Sequence, residues 1–160
     1  MHITVFQKLS IFFLRVSLGW LMLYAGITKL IDPTWSAVGY LKAAKTFVDF
    51  YRWFTLPGIL PVVNFVNEWG LIFLGVSLIL GIFVRLSSFL GFVLMLLYYF
   101  PILDVPYPNP HSYIVDEHVI YALALAVLGS VRAGRMWGLE TWCSNLPVCS
   151  RFPRLRAWLG

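Results

Sequence analysis

Four long apolar stretches constrain the fold of this chain more than any other feature of its sequence. They run over about residues 9–31, 61–83, 86–103 and 113–131. Each is long enough, or nearly so, to cross roughly 30 Å of bilayer hydrocarbon at about 1.5 Å per residue. Backbone groups in lipid must be hydrogen-bonded within the chain, so each stretch is predicted to be a helix. The predicted fold class is all-α, an integral membrane four-helix bundle formed by a single domain over residues 1–160.

Composition supports this class and argues against a soluble protein. Hydrophobic residues make up 60% of the chain and charged residues only 12%, about half the charged fraction of an average soluble domain. The net charge of +5 could indicate nucleic-acid binding in a soluble protein. Here the basic residues flank the spans, where they are expected to contact lipid phosphates. Membrane lipids are therefore predicted partners, and nucleic acid is not.

The first apolar stretch resembles a signal peptide, because Lys8 precedes it. Arg15 lies inside it, however, and the apolar run is too long for a signal sequence, so a retained helix is predicted. Two cysteines, Cys143 and Cys149, lie near the C-terminus without forming a CxxC pair. They are predicted to be free thiols in a reducing compartment, and a disulfide or a metal site completed by outside ligands is the alternative.

Basic residues predict the orientation of the chain in a prokaryotic cell membrane. Arg85 marks the turn between the second and third spans, and further arginines follow the fourth span. The positive-inside rule places both termini, the tail over residues 132–160 and this turn in the cytoplasm. The basic residues of the first loop, which would then face outward, argue against this orientation: Lys42, Lys45 and Arg52.

Two connecting segments have distinct compositions. Over residues 35–54, apolar side chains alternate with charged ones at helical spacing. This pattern predicts one amphipathic helix lying at the membrane interface between the first and second spans. The connection over residues 101–110 contains four prolines, and it is predicted to be stiff rather than helical.

One face of the first helix combines glycines with basic residues. Arg15, Gly19, Met22, Gly26 and Lys29 recur at steps of four, three, four and three, which places them on a single face. Glycines on such a face allow a second helix to approach closely. Arg15 is predicted to extend to the headgroup layer. For Lys29, a headgroup role and a functional role both remain open.

Length arguments bring ionisable residues from three helices to one depth. Residues 69–84 carry no charge and supply only about 24 Å of apolar helix, so Glu68 is predicted to lie near the outer boundary of the hydrocarbon. Residues 119–131 supply about 20 Å, which draws Asp116, Glu117 and His118 toward the same layer. Lys29, in the last turn of the first helix, joins them and is predicted to pair with Glu68.

Such a layer can serve two purposes. Charges at the edge of hydrocarbon are costly, which suggests a functional site, and His118 can exchange a proton near neutral pH. The layer is therefore predicted to bind a polar headgroup and move protons, as quinone reduction requires. Ordinary interfacial residues wetted by lipid headgroups are the alternative.

Other kinds of site find little support in the sequence. His111, Asp116, Glu117 and His118 match no strong metal-ligand spacing, so no metal site is predicted. Haem within the bilayer would need facing histidines, and only His118 lies near a span, so no haem is predicted. The sequence contains no glycine-rich phosphate loop after a strand and no convincing Ser-His-Asp arrangement.

Several segments, in order, resemble the DoxX/DoxD family of small four-helix membrane proteins. They are RVSLGWLMLYAGITK at residues 15–29, NEWG at 67–70, LG at 74–75, LGIFVR at 80–85, DEHVIY at 116–121 and AGRMWGLE at 133–140. The closing segment favours the DoxD branch, which is named for a subunit of thiosulfate:quinone oxidoreductase. The resemblance implies oxidation of thiosulfate to tetrathionate on the outer side, electron transfer to quinone, and a DoxA-like partner subunit. Related thiol oxidases need a CxxC at the outer face, which this chain lacks.

The sequence thus leads to one main hypothesis, a membrane subunit of a quinone-linked oxidoreductase with quinone as substrate. In it, Glu68 and His118 relay protons, and Asp116 or Glu117 orients His118. Lys29 attracts an anionic substrate or a quinone oxygen, and the remaining predicted quinone contacts are Trp69, Asn64 and Gly75.

The first alternative is a non-catalytic accessory subunit of a larger respiratory complex, joined to it through small-residue faces. A small-solute transporter is disfavoured, because the inner halves of the last three helices carry almost no polar groups.

Overall fold

The computed structural model of the chain describes residues 4–140 and residue 142. The predicted free thiols Cys143 and Cys149 lie outside the described residues, as does most of the predicted cytoplasmic tail.

Four apolar helices form the body of the protein, and it is a membrane helical bundle as predicted. They are α1 (Val5–Ile31), α4 (Leu60–Leu80), α5 (Val84–Ile102) and α6 (Glu117–Ser130), with the short helices α2 (Val38–Lys42) and α3 (Val48–Trp53) between the first two. α1, α4 and α5 are long and apolar enough to cross a membrane, and α6 is a shorter apolar helix. Within the described residues, extended pairing is limited to isolated bridges in the loop before α6. One turn of 3-10 helix, Ala133–Arg135, follows α6.

α6 begins later than the sequence predicted. The fourth span was expected from residue 113, but residues 113–116 form a loop in which Ile114 has a φ of 59°. The helix starts after Asp116, whose carboxylate accepts hydrogen bonds from the backbone N–H groups of His118 and Val119, at 3.1 and 3.2 Å. An aspartate in this position satisfies N–H groups that have no partner within the helix. α6 therefore has 14 residues and is about 21 Å long.

The connector over residues 32–59 is not the single amphipathic helix that the sequence predicted. It forms α2 and α3, which are separated by residues 43–47, and Phe47 has a φ of 50°. The break allows Lys45 to donate its backbone N–H to the carbonyl of Pro101 at 3.0 Å, and the hydroxyl of Thr46 to donate to the carbonyl of Phe100. The last carbonyls of a helix lack partners within it. The connector therefore satisfies the end of α5 at the cost of its own helical continuity.

The helices associate mainly as two pairs, α1 with α4 and α5 with α6. Glycines explain how close the first pair is, because a Cβ on Gly75 would lie 2.5 Å from the backbone nitrogen of Leu23. Gly19 and Gly26 meet α4 in the same way, as the face predicted for α1 requires. The remaining core is built from fully buried side chains between the pairs, including Met22, Leu78 and Leu125.

Arg15 does not extend to the lipid headgroups, contrary to the sequence-based prediction. Its side chain is fully buried and donates hydrogen bonds to the carbonyls of Ala133, at 2.9 Å, and Trp137, at 3.3 Å. These carbonyls are available because the chain after α6 folds back onto the bundle. There the N–H groups of Leu139 and Glu140 donate to the end of α4, each at 3.0 Å. The first part of the predicted tail is therefore packed rather than free.

The bundle has two ends, which differ in chemistry. The connector face is the end that carries the connector and the loop before α6. The arginine face is the opposite end, where Arg85 begins α5 and Arg132 follows α6.

Candidate functional site

A pocket of about 280 Å³ lies at the connector face. Each of the four main helices contributes one side chain to it, and the connector supplies the remaining wall. It is lined by Lys29, Trp35, Ser36, Ala37, Tyr40, Asn67, Tyr98 and His118. Helices that are distant in sequence therefore place ionisable and aromatic side chains around one space.

Lys29 reaches this pocket from the last turn of α1 and lies against aromatic rings. Its Nζ is 5.3 Å from the ring centroid of Trp35 and 5.6 Å from that of Tyr98, distances at which a cation is attracted to the ring face. The predicted ion pair with Glu68 is not formed, since no salt bridge among the described residues joins Lys29 to Glu68. The rings instead provide the close contacts of the ammonium group.

Asn67, which the sequence analysis did not select, takes the position on α4 that faces the pocket. It is buried, and its Oδ1 accepts a hydrogen bond of 2.8 Å from the hydroxyl of Tyr98. Helical spacing could have identified it, because Asn67, Leu71, Leu74 and Leu78 follow one another at steps of four, three and four and all are buried. Glu68, the neighbouring residue, is half-buried and does not line the pocket.

His118 is held by Asp116 at the start of α6. The imidazole Nδ1 lies 2.6 Å from Oδ2 of Asp116, whose side chain is buried. With Nδ1 donating to this carboxylate, Nε2 is the nitrogen that remains for a ligand. The Tyr98 ring and the imidazole pack in a T-shaped arrangement, with 6.0 Å between ring centroids. Of the two acids considered for orienting His118, Asp116 makes the contact.

Glu117 is exposed beside this pair. One ligand atom from each of Asp116, Glu117 and His118 can be chosen so that all lie within 4.8 Å of one another. These three residues are therefore the described side chains best placed to hold a cation. His111 is exposed in the loop before α6 and does not belong to the group.

The other predicted quinone contacts lie outside the pocket. Trp69 is exposed on the outer face of α4, between the rings of Phe65 and Phe73. Gly75 lies in the contact between α1 and α4. Asn64 does not line the pocket but forms hydrogen bonds to two residues that do. Its Oδ1 accepts from the N–H of Ala37 at 3.0 Å, and its Nδ2 donates to the Ser36 hydroxyl at 3.2 Å.

Tyr40 provides a neutral hydroxyl at the connector side of the pocket. Burial raises the pKa of this phenol, and nearby ionisable groups, Tyr98 first among them, raise it further. Its hydroxyl donates to the backbone carbonyl of Tyr98. The pocket therefore combines a cation, a histidine–carboxylate pair and phenol groups in an aromatic setting. This chemistry suits a flat, carbonyl-bearing headgroup or a small anion that exchanges protons.

Comparison with protein-family models shows the family of the chain. The family model described as DoxX matches residues 10–102, more than half of the chain, and thus covers most of α1 and all of α2 to α5. No curated protein and no solved structure matches the chain.

Proposed function

The chain belongs to the DoxX family, and from this premise we propose that it is a membrane subunit of a quinone-linked oxidoreductase. The pocket at the connector face is the observation that carries the proposal. At about 280 Å³ it is slightly smaller than the usual range for ligand pockets, roughly 300–1,000 Å³. Such a volume suits one quinone ring, with its apolar tail left in the lipid.

In this proposal, the pocket binds the quinone ring and supplies protons to it. The ammonium of Lys29 faces one carbonyl oxygen and stabilises the negative charge that develops there during reduction. Nε2 of His118 donates a proton, and the carboxylate of Asp116 stabilises the imidazolium before that transfer. Asn67 holds the hydroxyl of Tyr98 and so fixes the ring that separates Lys29 from His118. Glu68 and Glu117, nearer the surface of the bundle, return protons to the site.

Thiosulfate is the electron donor that the DoxD-like sequence features favour. Two thiosulfate ions would join through a new sulfur–sulfur bond to give tetrathionate and release two electrons. One quinone would take up these two electrons and two protons to give quinol. A DoxA-like partner subunit would complete the enzyme, and the connector face would be the outer face of a prokaryotic membrane.

Replacing His118 with glutamine is expected to lower quinone reduction by roughly a hundredfold, the typical contribution of a general acid. Glutamine keeps a hydrogen-bonding side chain of similar reach but cannot exchange a proton. The measurement is thiosulfate-dependent reduction of a short-chain quinone by membranes that contain the protein and its native partners.

His111→Gln is the matched control, because His111 is exposed and does not line the pocket. It should retain the activity of the unchanged protein. Equal activity of both variants, with equal amounts of folded protein, would contradict the proposal.

A non-catalytic accessory subunit is the competing function. The glycines that could have served as its docking face are used between α1 and α4. An apolar groove of about 730 Å³ between α4 and α5 remains available for a partner. Glu68→Gln and Lys29→Gln distinguish the two functions. Unchanged electron transfer in both variants, together with loss of a co-purifying complex, would favour the accessory role.

A further inference from the structure

A second cavity, of about 460 Å³, lies between α5 and α6 at the arginine face. Arg85 and Arg132 line it at the membrane-surface end, and both are exposed. Phe89 and Phe92 line it farther along α5, toward the middle of the bundle. We refer to this cavity as the arginine groove. It has arginines at one end and phenylalanine rings farther along α5, and it is separate from the pocket at the connector face.

Ser88 is a buried polar group in this groove that has no partner of its own. It is only 2% exposed, and its Oγ makes no hydrogen bond within the described residues. A buried hydroxyl without a partner destabilises the folded state, because its desolvation is not offset by a hydrogen bond. Ser88 lies three residues after Arg85, so its Cα is about 4.5 Å farther along the axis of α5. The groove thus offers a hydrogen-bonding group near its arginine end.

We propose that the arginine groove binds the phosphate of an anionic phospholipid. The guanidinium groups of Arg85 and Arg132 would hold the phosphate oxygens, since arginine forms strong, directional bonds to phosphate. Ser88 would donate its hydroxyl to one of the same oxygens. The rings of Phe89 and Phe92 would contact the first part of an acyl chain.

A lipid fits these features better than a free phosphate ion does. The rings of Phe89 and Phe92 line the groove beyond the arginines, and Phe89 is exposed at the surface of the bundle, where an acyl chain can contact it and a free ion would gain nothing from it. Basic pockets between transmembrane helices on the cytoplasmic side are typical of sites for anionic headgroups. The arginine face is also the face that the positive-inside rule assigns to the cytoplasm.

Lipid binding is to be measured by native mass spectrometry of the full chain in detergent, with phosphatidylglycerol and phosphatidylcholine as probes. Phosphatidylglycerol is expected to bind at least tenfold more tightly than phosphatidylcholine. Arg85→Gln combined with Arg132→Gln should remove most of this preference. Lys8→Gln removes an exposed cation near the N-terminal end of α1, outside the groove, and should change the affinity less than twofold.

Ser88→Ala tests the site without changing its charge. In lipid-free detergent it should raise the melting temperature, because it removes a buried hydroxyl that has no partner. The increase in melting temperature caused by phosphatidylglycerol should fall by at least half. The proposal would be overturned if Ser88→Ala left the stabilisation by phosphatidylglycerol unchanged, or if both lipids bound equally. It would also be overturned if Lys8→Gln changed the affinity as much as the double variant does. Equal stabilisation by inorganic phosphate would overturn the assignment to a lipid.

Discussion

Replacing Arg15 with glutamine is expected to lower the free energy of unfolding by roughly 3–5 kcal/mol, the usual cost of removing one partner from a buried charge network. Arg15 is fully buried and donates hydrogen bonds to two backbone carbonyls of the segment that follows α6. Without it, the carbonyls of Ala133 and Trp137 lose their donors, and Glu140 loses a nearby positive charge. Residues 133–140 should then detach from the bundle.

Two measurements check this expectation in detergent or bicelles. Equilibrium unfolding gives the loss in stability, and hydrogen exchange reports whether the amides of Leu139 and Glu140 still bond to the end of α4. Lys8→Gln, which removes an exposed cation from the same helix, should leave both measurements unchanged. If Arg15→Gln left them unchanged as well, the buried network would not contribute to stability.

The loss caused by Arg15→Gln should depend on pH through Glu140. Burial raises the pKa of this carboxyl, while Arg135, Arg132 and Arg15 act in the opposite direction. Because its pKa is raised in the folded state, protonation favours folding, and this contribution is lost as pH rises through the folded-state pKa. Removing Arg15 strengthens the effect, so the variant should be least impaired at mildly acidic pH. Glu140→Gln, added to Arg15→Gln, should abolish this pH dependence and restore part of the lost stability.

Gly75→Ala is expected to destabilise the protein by about 3 kcal/mol, near the upper end of the usual cost of overpacking. The added Cβ would lie 2.5 Å from the backbone nitrogen of Leu23 and 2.7 Å from the carbonyl oxygen of Gly19. Backbone atoms cannot move aside as a flexible side chain can, so α1 and α4 must separate. The measurement is thermal unfolding in detergent, in which the variant should have a lower melting temperature and give less folded protein.

Gly70→Ala is the matched control, since Gly70 lies on the same helix and a Cβ there would meet no atom within 4 Å. Alanine favours a helix over glycine by up to about 1 kcal/mol, so this variant should be as stable as the unchanged protein or slightly more stable. Helix propensity cannot explain a loss of stability in either variant, so similar losses in both would contradict the role given to the contact between Gly75 and α1.

Hydrophobic periodicity and span length predicted the helices well. α1, α4 and α5 lie close to the spans predicted from the sequence, and the buried face of α1 contains Gly19, Met22 and Gly26 as expected. These features depend on local composition and on the thickness of a bilayer, both of which can be estimated from a single sequence. The same length arguments led to Lys29 and His118, which the fold brings to one pocket.

The features that the sequence did not predict depend on contacts between distant segments. Nothing near Arg15 in the sequence indicates that Ala133 and Trp137 will supply its acceptors. The break between α2 and α3 depends on carbonyls at the end of α5. In both cases the deciding partner is far away along the chain. Asn67 is different, because the helical spacing of the buried residues on α4 could have identified it.

The arrangement of the helices in two pairs has a consequence for the pocket at the connector face, because the boundary between the pairs passes through it. Lys29 and Asn67 belong to the pair α1–α4, and Tyr98 and His118 belong to the pair α5–α6. The hydrogen bond from Tyr98 to Asn67 crosses this boundary. A small sliding of one pair past the other would therefore change the width of the pocket while the packing inside each pair stayed intact. The boundary between the two helix pairs, which have less contact with each other than the helices within each pair have, is thus also the place where a ligand could enter or leave.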